Sequence, residues 1–153
     1  MQVGGALPEA VVDKCVGAEV VKLYQLGLTG SVLASFGKCA KLKGLLLWGN
    51  QLTGPIPDEL GQCGALDDLV LFQNQLTGGV PASLGKCAKL KNLLLFENQL
   101  EGAVPATELA GLTGLTQLGL HENEGLTITA SGAQALKKAL PNAKLFLPLE
   151  VAG

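Results

Sequence analysis

Leucines recur along the chain in short bursts where inward and outward positions alternate, and each burst is followed at a fixed distance by asparagine, glycine and proline. In LKGLLLW, Leu45 and Leu47 alternate with Leu46 and Trp48, the period-two pattern of a short β-strand. Pro57, Pro81 and Pro105 each suit the start of a short turn in the return segment, where a fixed φ is favourable and a missing N–H is harmless. Gly61 and Gly85 are expected to let that turn end. Near the C-terminus the period changes. Ala133, Leu136 and Leu140 fall at helical spacing, with Ser131 as a cap and Pro141 as the stop.

The bursts are copies of one another. KLKGLLLWGNQLTGPIPDELGQCG (41–64), ALDDLVLFQNQLTGGVPASLGKCA (65–88) and KLKNLLLFENQLEGAVPATELAGL (89–112) align without a gap through Gly102. Asn50, Asn74 and Asn98 therefore recur every 24 residues, and Asn123 follows after 25 because VPATEL carries one residue more than VPASL. An upstream copy at 18–41 keeps Leu23, Leu28, Gly30 and Gly37 but has Leu26 at the asparagine position, and GALPEAVVDKC (5–15) reads as the back half of one more copy. The chain thus reads as one domain over 1–153: a partial repeat 1–17, repeats 18–41, 42–65, 66–89, 90–114 and 115–141, and a terminal strand 142–153. One such unit cannot bury its apolar face alone, so successive units must stack, with one strand from each building a parallel sheet.

The quoted pattern, LxxLxLxxNxLTGxIPxxLGxC, resembles the plant-specific type of leucine-rich repeat, the kind found in plant receptor-like kinase ectodomains and polygalacturonase-inhibiting proteins. The resemblance implies an α/β solenoid: a right-handed stack with a parallel β-sheet on the concave side, short 3-10 or loop returns, and one C-terminal helix. The segment 123–147 departs from the pattern and instead resembles the helix-containing repeat of ribonuclease inhibitor.

Stacking turns residues 24 apart into columns with neighbours about 4.8 Å apart. Cys15, Cys39, Cys63 and Cys87 form one column. The reading favoured for all four is buried free thiols; distance alone would also permit disulfides, and a metal site lacks other ligands. Asn50, Asn74, Asn98 and Asn123 form a second column, which the resemblance assigns to bonding the backbone of their own and the neighbouring turn. A third column holds Tyr24, Trp48, Phe72, Phe96 and His121, four of the six aromatics and the sole histidine. Beside it on the outward face lie Leu46, Val70 and Leu94, between Lys22 and Gly119. An exposed apolar stripe marks a binding surface, here rimmed by Lys43, Lys91, Asp67, Asp68, Glu97 and Glu122. The alternative is that these aromatics shield the strand backbone or are shared by descent among duplicated copies. Lys38, Lys41, Lys86 and Lys89 are expected at the solvated ends of the returns.

Composition narrows the function. All 11 basic residues are lysine, against 13 acidic residues, for a net charge of -2; without the guanidinium fork, nucleic acid is not the expected partner. No run approaches the eighteen or so apolar residues of a spanning helix, so membrane insertion is not expected. A lone histidine without a cleft, glycines spaced one per repeat, and no metal-ligand spacing predict a protein without catalytic activity, metal or cofactor. The expected function is recognition of a protein or peptide ligand through Tyr24, Trp48, Phe72, Phe96, His121, Leu46, Val70 and Leu94. The alternatives are glycan recognition, inhibition of a cell-wall-degrading enzyme, or membership of a longer receptor or signalling scaffold. The N-terminus shows no basic leader followed by an apolar segment, no asparagine lies in an N-x-Ser/Thr site, and unpaired thiols suit a reducing compartment. Together these predict a cytoplasmic location.

Overall fold

In the computed structural model, which describes residues 4–152, one short strand per coil builds a six-stranded parallel sheet. Its strands are Val20–Lys22, Gly44–Leu46, Asp68–Val70, Asn92–Leu94, Gln117–Gly119 and Lys144–Phe146, in that spatial order. The register runs unbroken, from Val21 to Leu45, Leu69, Leu93, Leu118 and Leu145. The middle residue of every strand points inward, and from Leu45 to Leu118 it is completely buried. Smaller parallel ladders flank this sheet: Gly5–Ala6 with Leu28–Thr29, Thr53–Pro55 with Gln75–Thr77, and Glu101–Ala103, Gly125–Thr129 and Leu149–Val151 together. The leucine-rich stack read from the repeats is the architecture observed.

The returns are 3-10 turns at Ala34–Lys38, Asp58–Gln62 and Ala82–Lys86. Pro57 and Pro81 sit one position before these turns rather than inside them. Two returns are α-helical, Ala10–Cys15 and Ala106–Ala110, so helix is not confined to the C-terminal segment. The second has a direct cause. The additional residue in VPATEL lets the Leu109 N–H reach the Pro105 carbonyl, four residues back, whereas the Leu84 N–H reaches only three back to Pro81.

Gly61 and Gly85 do not end their turns as expected. Both lie within them, where successive returns approach most closely. A Cβ on Gly61 would stand 2.6 Å from the Ser83 carbonyl oxygen, one on Gly85 2.9 Å from that of Glu108, and one on Gly37 2.5 Å from that of Glu59. The obstacle is backbone, which cannot rotate away. Gly61→Ala is therefore expected to prise two coils apart at a cost of about 1–3 kcal/mol, measured as a lower denaturation midpoint with an unchanged urea slope.

The C-terminal helix spans Ala130–Ala139 and buries Ala133 and Leu136, with Leu140 just beyond, as their spacing predicts. Its cap is Thr129, not Ser131: the Thr129 Oγ1 accepts the Gly132 N–H at 3.0 Å, while Ser131 lies in the first turn. Thr129 is the last residue of the preceding strand, so its extended backbone aims the hydroxyl at the free amides of the turn.

Candidate functional site

The outward face of the six-stranded sheet is a grid whose rows are coils and whose columns follow the register. The first column is Val20, Gly44, Asp68, Asn92, Gln117 and Lys144; the second is Lys22, Leu46, Val70, Leu94, Gly119 and Phe146. The third, two residues further on, holds the aromatics. They form a continuous ladder. Ring centroids lie 4.7 Å apart for Tyr24 and Trp48, 5.2 Å for Trp48 and Phe72, 4.5 Å for Phe72 and Phe96, and 4.7 Å for Phe96 and His121. All four pairs are stacked within 16° of parallel. The coil spacing dictates this, because strands about 4.8 Å apart hold equivalent rings near the distance at which π-faces pack.

Stacking spends most ring faces on neighbours, so Trp48, Phe72, Phe96 and His121 are half-buried and show solvent mainly their edges; Leu46, Val70 and Leu94 are half-buried too. Tyr24, at the end of the ladder, is stacked on one face only among the described residues and is 38% exposed. The sheet therefore presents a half-buried apolar band two columns wide, bordered by the polar first column, where the Asn92 Nδ2 donates to Asp68 at 2.6 Å. On the rim, Lys43 pairs with Glu19 at 3.1 Å, a contact between exposed side chains. Lys38, Lys41, Lys86 and Lys89 are exposed, as expected.

One member of the face was missed by sequence reasoning. Phe146 lies in the second column opposite Gly119, leans on His121 with centroids 5.3 Å apart at a tilt of 47°, and is 49% exposed. The helix lengthens the last coil, so Phe146 follows its register partner Gly119 by more than the 24 or 25 residues of the other repeats, and the repeat count stops short of it. Gly119 leaves the space into which its neighbours lean: a Cβ there would meet the Phe96 Cδ1 at 2.9 Å. His121 lies between Phe96 and Phe146, and its Nδ1 is buried without a hydrogen-bond partner among the described residues.

The asparagine column is spent on the backbone. The Asn74 Oδ1 accepts the Leu52 N–H at 3.0 Å, and its Nδ2 donates to the carbonyls of Leu47 at 3.0 Å and Leu71 at 3.1 Å. Asn50, Asn98 and Asn123 repeat the pattern, each joining its own coil to the preceding one.

The cysteine column is divided. Cys15 and Cys39, expected as free thiols, are joined by a disulfide with Cα atoms 5.9 Å apart. Stacking holds equivalent positions within the span that a disulfide bridges. Cys63 and Cys87 are buried free thiols whose Sγ atoms donate to the carbonyls of Phe36 and Leu60. Burial raises the Cys63 pKa, and burial together with the neighbouring Cys63 pushes Cys87 from 9.0 up to about 11. Folding thus favours the protonated thiols. Their contribution to stability is complete below the unfolded thiol pKa and is lost as pH rises from about 9 to about 11. An aromatic disulfide reagent should find no reactive thiol in the native protein, two per chain in denaturant and four after reduction. Any reaction of the native chain at neutral pH would contradict this burial.

Comparison with known proteins places this geometry. Residues 41–63 match the family profile described as Leucine Rich Repeat. A chain of the BIR3–SERK2 complex from Arabidopsis thaliana is 30% identical, with a TM-score of 0.70 over 82% of this chain and 68% of its own. The chain belongs to the leucine-rich repeat family. Two further solved structures that resemble it are plant ectodomains. The ectodomain of the Arabidopsis receptor kinase HAESA, in complex with an N-terminally extended IDA peptide hormone, is 29% identical with a TM-score of 0.85, covering 97% of this chain. The BIR2 ectodomain from Arabidopsis thaliana is 34% identical with a TM-score of 0.67, over 71% of this chain and 56% of its own. This leucine-rich repeat chain spans about a quarter of the HAESA ectodomain, 24% of its length. No curated protein sequence matches it.

These findings overturn the expected cytoplasmic location. Three of the Arabidopsis chains it resembles are ectodomains, two of them of receptor kinases, and the Cys15–Cys39 disulfide is a bond that persists in oxidising compartments. Both point to an extracellular setting. The sequence argument failed because it assigned all four cysteines one fate, although only two of them pair.

Proposed function

We propose that this leucine-rich repeat protein is a non-enzymatic recognition module that binds an extended protein or peptide partner across the outward face of its principal sheet. Trp48, Phe72, Phe96 and His121 form one wall of the binding band, with Leu46, Val70 and Leu94 as its floor and Tyr24 at one end. The observation that carries this reading is the band itself: half-buried apolar side chains in two adjacent columns, kept open by a rigid backbone and bordered by polar groups, the ordinary anatomy of an interface. A preorganised surface loses little entropy when a partner docks. The HAESA ectodomain, in complex with a peptide hormone, shares this fold, which supports a peptide-sized ligand. Catalysis has no part in the reading, because the one histidine is a rung of the ladder and the buried asparagines are committed to the backbone.

Glycan recognition is less well supported. Sugars dock on free aromatic faces, and here neighbouring rings occupy most of those faces.

The test is selection of binders from a random peptide library on the intact protein, read by the emission of Trp48, the only tryptophan. Binders on this face should shift that emission and lose at least about tenfold in affinity with Trp48→Ser plus Phe72→Ser, since buried aromatic anchors dominate such interfaces. The ladder's stacking means the double variant is also expected to melt earlier, so its fold is confirmed first by circular dichroism. Binders unaffected by the substitutions, or a selection that yields none, would overturn the proposal.

A further inference from the structure

Charge is spread unevenly along the outward face of the principal sheet. At one end Lys22 is exposed in the second column, one coil before the apolar floor of Leu46, Val70 and Leu94 begins. Four coils on, Glu122 is exposed directly after His121, and Glu97 is half-buried in the same place after Phe96. The backbone is left-handed at both, with φ 54°, and at the equivalent Gln25, Gly49 and Gln73. One turn conformation thus repeats from coil to coil and aligns these positions along the margin of the ladder, where only the last two are charged. Glu122 also lines a recess of about 400 Å³ with Gln99, Glu101 and Glu124. Among the described residues the ion pair of this face is Lys43 with Glu19, so Lys22, Glu97 and Glu122 are free to meet charges from outside. The opposite rim mixes signs in Lys43, Asp67, Asp68, Lys91 and Lys144 and sets no direction.

We propose that the partner on this face is an extended peptide lying along the stack, with an acidic side chain over Lys22, apolar side chains on Leu46, Val70 and Leu94, and an arginine against Glu97 and Glu122. This rests on the reading of the apolar band as the binding face and adds the charge order of its ligand. The spacing follows from two periods. From Lys22 the register passes through Leu46, Val70 and Leu94 to Gly119, the coil of Glu122. Four steps of about 4.8 Å span about 19 Å. In an extended chain every second side chain faces the sheet, about 6.6 Å apart, so three such intervals cover about 20 Å. Four sheet-facing residues therefore fit, in the order acid, apolar, apolar, base, with the two charges six positions apart. Arginine suits the basic end because its length carries it past the ladder to the recess and its planar fork can bridge two carboxylates. The apolar centre supplies most of the affinity, and the charged ends reject the reverse charge order.

The probes are two fluorescently labelled peptides with capped termini, Glu-Ser-Leu-Ser-Leu-Ser-Arg and Arg-Ser-Leu-Ser-Leu-Ser-Glu, titrated into the intact protein and followed by anisotropy. The pair covers both chain directions for one charge order along the stack. At least one is expected to bind saturably, at least about tenfold more tightly than Leu-Ser-Glu-Arg-Ser-Leu-Ser, which has the same composition with its charges adjacent. Lys22→Glu should weaken that probe at least about tenfold and should prefer the version in which lysine replaces its glutamate. Glu122→Lys should prefer the version in which glutamate replaces its arginine. Misfolding cannot produce such reversals. Absence of saturable binding by both probes, equal binding of the control, indifference to both substitutions, or sedimentation showing the face covered by a second copy would each overturn the proposal. If library-selected peptides depend on Trp48 and Phe72 but ignore the charge reversals, the charge order falls and the binding face stands; a face that yields no binders removes both.

Discussion

Replacing Asn74 with alanine is expected to destabilise the protein by about 2–4 kcal/mol, because one buried N–H loses its only partner, at about 1–3 kcal/mol, and two carbonyls each lose one of their two donors, at about 0.5 kcal/mol apiece. The orphaned group is the Leu52 N–H, while the carbonyls of Leu47 and Leu71 keep the side-chain amides of Asn50 and Asn98. The three groups belong to two adjacent coils, so the loss falls on the interface between coils, where a solenoid's cooperativity resides. Asn74→Asp should do no better. Its carboxylate still accepts from Leu52 but then stands beside two carbonyl oxygens with nothing to donate, in a site the side chain reaches only when buried. Thermal and urea denaturation of both variants measure the effect. An alanine variant within 1 kcal/mol of the parent, on the order of a single net hydrogen bond, would show that water or backbone relaxation replaces the asparagine.

Much of this was legible from spacing alone. A stack in strict register makes sequence distance into spatial adjacency, so the inward leucines, the asparagine column and the aromatic ladder follow from a period of 24. The features that were misread depend on what happens between coils rather than within one. Gly61 looks like a turn terminator in isolation, and only the approach of Ser83 from the next coil gives its actual reason. Ser131 is a good cap by residue type, yet Thr129 takes that role because the strand before the helix ends in an extended residue. Phe146 was missed because the C-terminal helix changes the count between the last two strands. The disulfide could not be read from the column, since four equivalent cysteines offer no internal sign of which pair closes.

The double variant Cys15→Ser, Cys39→Ser is expected to lose about 3–4 kcal/mol, the loop-closure entropy of a bridge across a separation of 24 residues. Where that loss falls is set by the position of the bond. It joins the outermost described coil, which among the described residues has a neighbour on one side only, to the first complete one. In a nearest-neighbour stack the end unit is the first to open. The remaining attachments of that coil include the two-residue ladder of Gly5–Ala6 on Leu28–Thr29, the bond from the Gly4 N–H to the Leu26 carbonyl at 2.7 Å, the packing of Leu7 and Val12 in the core, and the bond from the Ser35 hydroxyl to Glu9 at 2.6 Å. Amide hydrogen exchange should therefore lose protection over residues 4–15 first, with the central sheet strands still protected, and the melting temperature should fall by roughly 6–16 °C. Equal protection and equal melting in the parent and the double variant would show that packing alone secures the first coil.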